Sequence, residues 1–289
     1  MPIVLALAAA TIWGAADFLG GFASRRSAAL QVLFVSQAIG LVAMLVAVAF
    51  IGGDPTVGDM AWGVVGGLIG NAGLYGLYRE LARGQAGVVA PTTAVSAALT
   101  PVVVGLLLGE IPSAMTLTGV AIAIVAVGLL AGGEGRHAEP GSNLAAKVRR
   151  ALHGGFWIAI ASGLGFGAFY VCLAQTSKAA GLWPLVASRG ASVAALALLP
   201  ATWRGLRGPR RPPTKTAGAA GLLDATANSA YVVAVRAGSI TWVPVLASLY
   251  PASTVVLARI FQKQKLDALH IVGLALALVA IALVTAGSG

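Results

Sequence analysis

Ten apolar runs, each close to the length of a bilayer-spanning helix, leave this chain few folds to choose from. Crossing the hydrocarbon layer takes about 20 mostly apolar residues at about 1.5 Å each. Such runs lie at residues 3–22, 29–51, 60–82, 87–108, 114–132, 154–175, 183–202, 216–236, 240–258 and 268–287. Charged residues are only 10% of the chain and hydrophobic ones 58%, against roughly a quarter charged in a soluble domain. The chain therefore lacks the polar residues to cover a water-facing surface, and the fold expected is an all-α integral membrane protein with ten transmembrane helices in a lipid bilayer. Met1 to Ala10 has the look of a signal-peptide core, but no Lys or Arg precedes it, so it reads as a retained first helix.

A net charge of +10 invites a nucleic-acid reading. The basic residues, however, fall in short clusters between apolar runs, the pattern of loops against an anionic leaflet, and no nucleic-acid partner is expected. The longest polar stretch, with Glu134, Arg136, Glu139, Pro140, Lys147, Arg149 and Arg150, lies near the middle of the chain and reads as a linker at 134–153. A second basic stretch, Arg204 to Lys215, reads as a surface loop. A single cysteine, Cys172, excludes an intramolecular disulfide, and three scattered histidines, His137, His153 and His270, offer no metal cluster. No cofactor is expected.

The two sides of the linker repeat each other. Gly119 to Gly133 aligns with Gly273 to Gly287 at 7 identities in 15. Nearly the same offset pairs Trp13-Gly14-Ala15 with Phe166-Gly167-Ala168, Tyr78 with Tyr231, Arg83 with Arg236, and Pro91 with Pro244. The chain thus divides into a first five-helix repeat at 1–133 and a second at 154–289. Five is odd, so the second repeat is expected upside down relative to the first. Inverted repeats are characteristic of secondary transporters, whose substrate sits near the midplane where the halves meet.

With these residues the sequence resembles the drug/metabolite transporter superfamily, in particular its EamA-type members. The aromatic-Gly-Ala elements, the small-residue fifth and tenth spans, the segment Leu106-Leu107-Leu108-Gly109-Glu110 with Gly119 following, and Pro251 in Ser248-Leu249-Tyr250-Pro251 carry the likeness. The first half departs from it with Ala97 or Ala98 where Pro251 is matched, and the second with Gln264 in place of Glu110. The resemblance implies a ten-helix bundle moving small metabolites or drugs, often outward.

Ionisable groups inside spans are functional candidates by default, which singles out Asp17, Asp224 and Arg189. Asp224 matches Asn71 in the first half, and Arg189 is expected to pair with Asp224. Tyr75 and Tyr78 of the third span match Asn228 and Tyr231 of the eighth. With Trp13, Phe169 and Tyr170 they would give a cavity apolar walls and a few polar handles. Pro251 is the candidate gating kink. Arg79, Glu80 and Arg83 read as a surface cluster. There is no Gly-x-Ser-x-Gly elbow, His-Glu-x-x-His or phosphate loop, so no enzyme is expected, a membrane enzyme and a channel being the competing readings.

Of the 19 basic residues, 16 fall in loops after odd-numbered spans. The positive-inside rule then puts those loops in the cytoplasm and both termini outside a cell membrane, opposite to the usual drawing of EamA-type exporters. The expected cargo is an amino acid or amine, with protons as the coupling partner through Asp17 or Asp224. Self-association into a homo-oligomer is compatible with the sequence.

Overall fold

A computed structural model describes residues 2–109, 111–135, 155–208, 213–237, 247, 249–263 and 268–287. The first half holds α1 (Pro2–Ser24), α2 (Ala29–Ile51), α3 (Val57–Ala82), α4 (Ala86–Leu107) and α5 (Ala114–Gly135). The second holds α6 (Phe156–Ala174), α7 (Trp183–Leu198), α8 (Pro200–Arg207), α9 (Thr214–Ala237), α10 (Tyr250–Gln262) and α11 (Ala268–Gly287). No strand occurs among the described residues. Most of the linker at 134–153, the start of the run at 240–258, and Arg210 and Arg211 lie outside them.

Among the described residues eleven α-helices stand where ten spans were expected, and the run at 183–202 breaks in two. Pro200 cannot donate to the ladder, and it drives its predecessor Leu199 to extended backbone, φ −81° and ψ 118°. The chain bends by 76° there, so α7 and α8 form one broken span or a re-entrant turn. Among the described residues five helices, α1 to α4 and α6, are by themselves long and apolar enough to cross a membrane. Large apolar side chains such as Val4, Val42, Phe50, Leu107, Ile124 and Phe261 are exposed on the outside, a surface suited to lipid.

The duplication is visible in the packing. α1 lies against α9 and α10, and its repeat mate α6 against α3 and α4. Likewise α2 packs on α9 and α7 on α3, while α2 meets α7 and α5 meets α11 across the centre. Individual residues follow suit. A Cβ on Gly14 would meet the Tyr250 carbonyl oxygen at 2.6 Å and the Ser253 side chain, and one on Gly167 would meet the Ala97 carbonyl oxygen at 2.7 Å and the Thr100 side chain. Each position of the first set is 153 residues from its partner in the second: 14 and 167, 97 and 250, 100 and 253. The glycine of each aromatic-Gly-Ala element is there for close helix approach.

Glycine also joins the halves along α3. Gly63 and Gly67 face the backbone of Pro184 and Ser188 on α7, and Gly66, Gly70, Gly73 and Gly76 face Phe169, Cys172 and Ser162 on α6. Both ends of α3 are pinned. At its start Thr56 and Asp59 form a capping box, and the Asp59 carboxylate also accepts from the Ser177 backbone N–H at 2.6 Å, beyond the end of α6. At its other end Arg83 donates to both oxygens of Glu80 at 2.8 Å, with Gly155 packed on the carboxylate. Glu80 is fully buried, not part of a surface cluster, while Arg79 and Arg83 remain about half exposed.

Candidate functional site

A cavity of about 110 Å³ opens where the halves meet, far more than the roughly 10–15 Å³ that one water needs. Its walls come from both halves in matched pairs. Trp13 and Asp17 on α1 face in, as do their mates Phe166 and Tyr170 on α6, and Asn71 on α3 is joined by its mate Asp224 on α9. Phe169, Asn228, Leu74, Leu185, Ser188 and Tyr250 fill the gaps between these pairs.

One polar chain crosses the cavity from half to half. The Arg189 guanidinium is ion-paired with the Asp224 carboxylate and donates from Nη1 to Gln37 Oε1 at 3.0 Å. Gln37 Nε2 in turn donates to Asn71 Oδ1 at 3.2 Å. Gln37 and Arg189 are 152 residues apart, and each follows a serine, Ser36 and Ser188. This spacing is one residue short of the 153 that relates the other pairs, so the two stand at neighbouring and not identical places on α2 and α7; the network joins an amide pair of one half to a charged pair of the other. Burial makes a partner obligatory for Arg189, whose side chain is 8% exposed. Asn228 Nδ2 donates to the Asp224 backbone oxygen at 2.7 Å, one turn back on its own helix. Asp17 has no hydrogen-bond or ion-pair partner among the described residues.

Of the residues singled out from sequence, Trp13, Asp17, Asn71, Phe169, Tyr170, Asp224 and Asn228 line this cavity, and Tyr75, Tyr78, Tyr231 and Pro251 do not. Tyr75 points away and is 38% exposed. Relative to Gly67, Gly70, Asn71 and Leu74 it stands about a quarter turn around α3. Tyr78 shares the inward face but lies about 10 Å further along, sealed against Gly20, Leu33 and Leu196. Tyr231 packs tilted against Trp13, ring centroids 5.4 Å apart, beside Ala6. Pro251 sits in the first turn of α10, where its missing N–H costs nothing. Gln37, Leu74 and Tyr250 went unread in the sequence. Among the described residues no group of three or more His, Cys, Asp or Glu is placed to hold a metal ion.

Two matched helical halves around a polar cavity define a multi-pass membrane protein of the repeat-built class. The chain belongs to the EamA-like transporter family, whose model matches residues 1–132 and again 153–286, and it is thereby a member of the drug/metabolite transporter superfamily. No curated protein matches it. Seven solved chains do, among them one described as "Crystal structure of protein", similar over 96% of this chain and 98% of its own at 15% identity and TM-score 0.47.

Proposed function

We propose that the protein is a secondary transporter that exports a small metabolite, an amine or amino acid, across the cell membrane by alternating access. Ten spans in two inverted five-helix repeats fit this reading, with α7 and α8 as one broken span and α10 as the described part of another. The single observation that carries it is the cavity between the halves, whose walls are repeat mates. A site shared by two inverted units can be exposed first to one side and then to the other by rocking one arrangement into its mirror. Trp13, Phe169 and Tyr170 supply apolar walls, and Asp17, Asn71, Asp224 and Asn228 the polar groups. The charge bias of the loops supports cytoplasmic odd loops and external termini.

An uptake screen in proteoliposomes, covering amino acids, monoamines and cationic drugs, tests the reading. Saturable flux of at least one of these, lost in Asp224→Asn, is the expected result. Consumption of the compound by protein in detergent would replace the transporter with an enzyme. A C-terminal reporter active only in the cytoplasm would reverse the orientation.

A further inference from the structure

We propose that α8 and the end of α7 form a binding site for one anionic phospholipid, its phosphate on Arg204 and Arg207 and an acyl chain along Leu198, Pro200 and Trp203. The site faces outward, apart from the central cavity, and depends on no reading of the cargo. The break before α8 is a built element. Pro200 brings no N–H, and side chains take up the α7 carbonyls that the break leaves: Thr202 Oγ1 donates to the Leu196 oxygen at 2.7 Å and Trp203 Nε1 to the Ala197 oxygen at 2.6 Å. The Thr202 side chain is fully buried. α8 is then fastened to α2. Gln31 Nε2 donates to the Ala201 backbone oxygen at 2.8 Å, the Trp203 ring lies 5.7 Å from that of Phe34, and a Cβ on Gly205 would run into the Gln31 side chain.

The face left outward carries both halves of a phospholipid's chemistry. Pro200, Trp203 and Arg207 follow one another as i, i+3 and i+7, one stripe of α8, and with Leu198 they line an open groove. Leu198 is 83% exposed and Leu199 45%. With α7 crossing the bilayer, the 76° bend turns α8 towards the plane of its surface, where a Trp ring sits among headgroups and neighbouring leucines reach the acyl layer. Arg204 and Arg207, one turn apart, are exposed, and neither is ion-paired among the described residues. Residues 204–215 include five basic side chains and no acidic one, so nothing in that segment competes for the arginines. Guanidinium groups take phosphate oxygens in a fork. Charge complementarity selects the occupant: an anionic lipid meets the arginines with a net negative charge, whereas the choline of phosphatidylcholine brings a cation of its own. Soluble phosphate has no chain to lay along Leu198 and Pro200.

The test is quenching of tryptophan fluorescence by brominated lipid, with the purified full chain in phosphatidylcholine vesicles that contain a small share of dibrominated phosphatidylglycerol or dibrominated phosphatidylcholine. The part of the signal lost in Trp203→Phe belongs to Trp203. It should show phosphatidylglycerol favoured by about 30-fold, on the order of 5-fold for each arginine near the surface. Arg204→Gln with Arg207→Gln should remove the preference, and Arg204→Lys with Arg207→Lys should keep part of it, which separates lost charge from misfolding. Should Trp203→Phe fail to fold, the difference in total quenching between wild type and the Gln pair reads the same preference. The control is Arg259→Gln with Lys263→Gln, two exposed cations at the end of α10; α10 packs on α1 and α4, whereas α8 packs on α2 and α7. Equal quenching of Trp203 by the two lipids, or an equal loss of preference in the α10 pair, would mean diffuse attraction and overturn the proposal. Inorganic phosphate, set against chloride at the same ionic strength, should not relieve the quenching; relief would make this a soluble-anion site and overturn it as well.

Discussion

Replacing Gly67 by alanine probes the contact that fixes the cavity wall, where α3 runs against α7. A Cβ at Gly67 would lie 2.5 Å from both the Cα and the carbonyl oxygen of Ser188. Carbon atoms settle at about 3.5–4.0 Å, so the helices must part by roughly 1 Å, and backbone cannot swing aside as a side chain can. Overpacking of this kind costs about 1–3 kcal/mol, offset by up to about 1 kcal/mol of helix propensity gained on leaving glycine. A net loss of about 1–2 kcal/mol corresponds to a melting temperature about 2–6 °C lower in a chain of this size. Gly190 on α7 is the control, because a Cβ there meets nothing within 4 Å; Gly190→Ala should melt at or above the wild-type temperature. Cys172, the one cysteine, is buried, so a thiol-reactive fluorogenic maleimide reports unfolding directly. Equal melting of Gly67→Ala and wild type, or an equal fall in Gly190→Ala, would mean that close approach at Gly67 does not hold α3 against α7.

Arg189→Met leaves Asp224 and Gln37 without their shared partner. Because the Asp224 side chain is 26% exposed, the loss should be about 1–3 kcal/mol, less than for a sealed pair, and adding Asp224→Asn should recover part of it in the same melting assay. Gly14→Ala and Gly167→Ala meet equivalent neighbours and should cost similar amounts, within about 0.5 kcal/mol; a large inequality in their melting shifts would count against equivalent packing of the repeats. Asp59→Ala removes the α3 capping box and the tie to Ser177, and should cost about 1–2 kcal/mol, seen as a lower melting temperature with Gly190→Ala as the unaffected reference.

The helical character of the described apolar runs and the duplication were legible because both rest on local composition: long apolar runs, and small residues recurring at matched places. Gly14 and Gly167 show the link at its clearest, since the same residue type serves the same packing in each half. Depth and direction were harder. Tyr78 follows Asn71 by seven residues, two turns that preserve the face but move the ring out of the cavity, and Tyr75 falls on another face altogether. Pro200 sits between Leu199 and Ala201 inside an apolar run, where hydropathy alone does not register a break. Glu80 reads as surface beside two arginines, yet the start of α6 covers it. Gln37 has no charge to draw attention, and its role emerges only when Arg189 is brought against it.

In an alternating-access carrier one site serves both sides of the membrane in turn. Counterflow measures this directly: proteoliposomes loaded with excess unlabelled 2-phenylethylamine are diluted into a trace of the labelled amine, with no pH gradient. A carrier exchanging through one cavity should accumulate label transiently above its external concentration, with Arg189→Met and empty vesicles showing none. Label that only equilibrates, at a rate indifferent to the internal amine, would mean a pore and not a carrier.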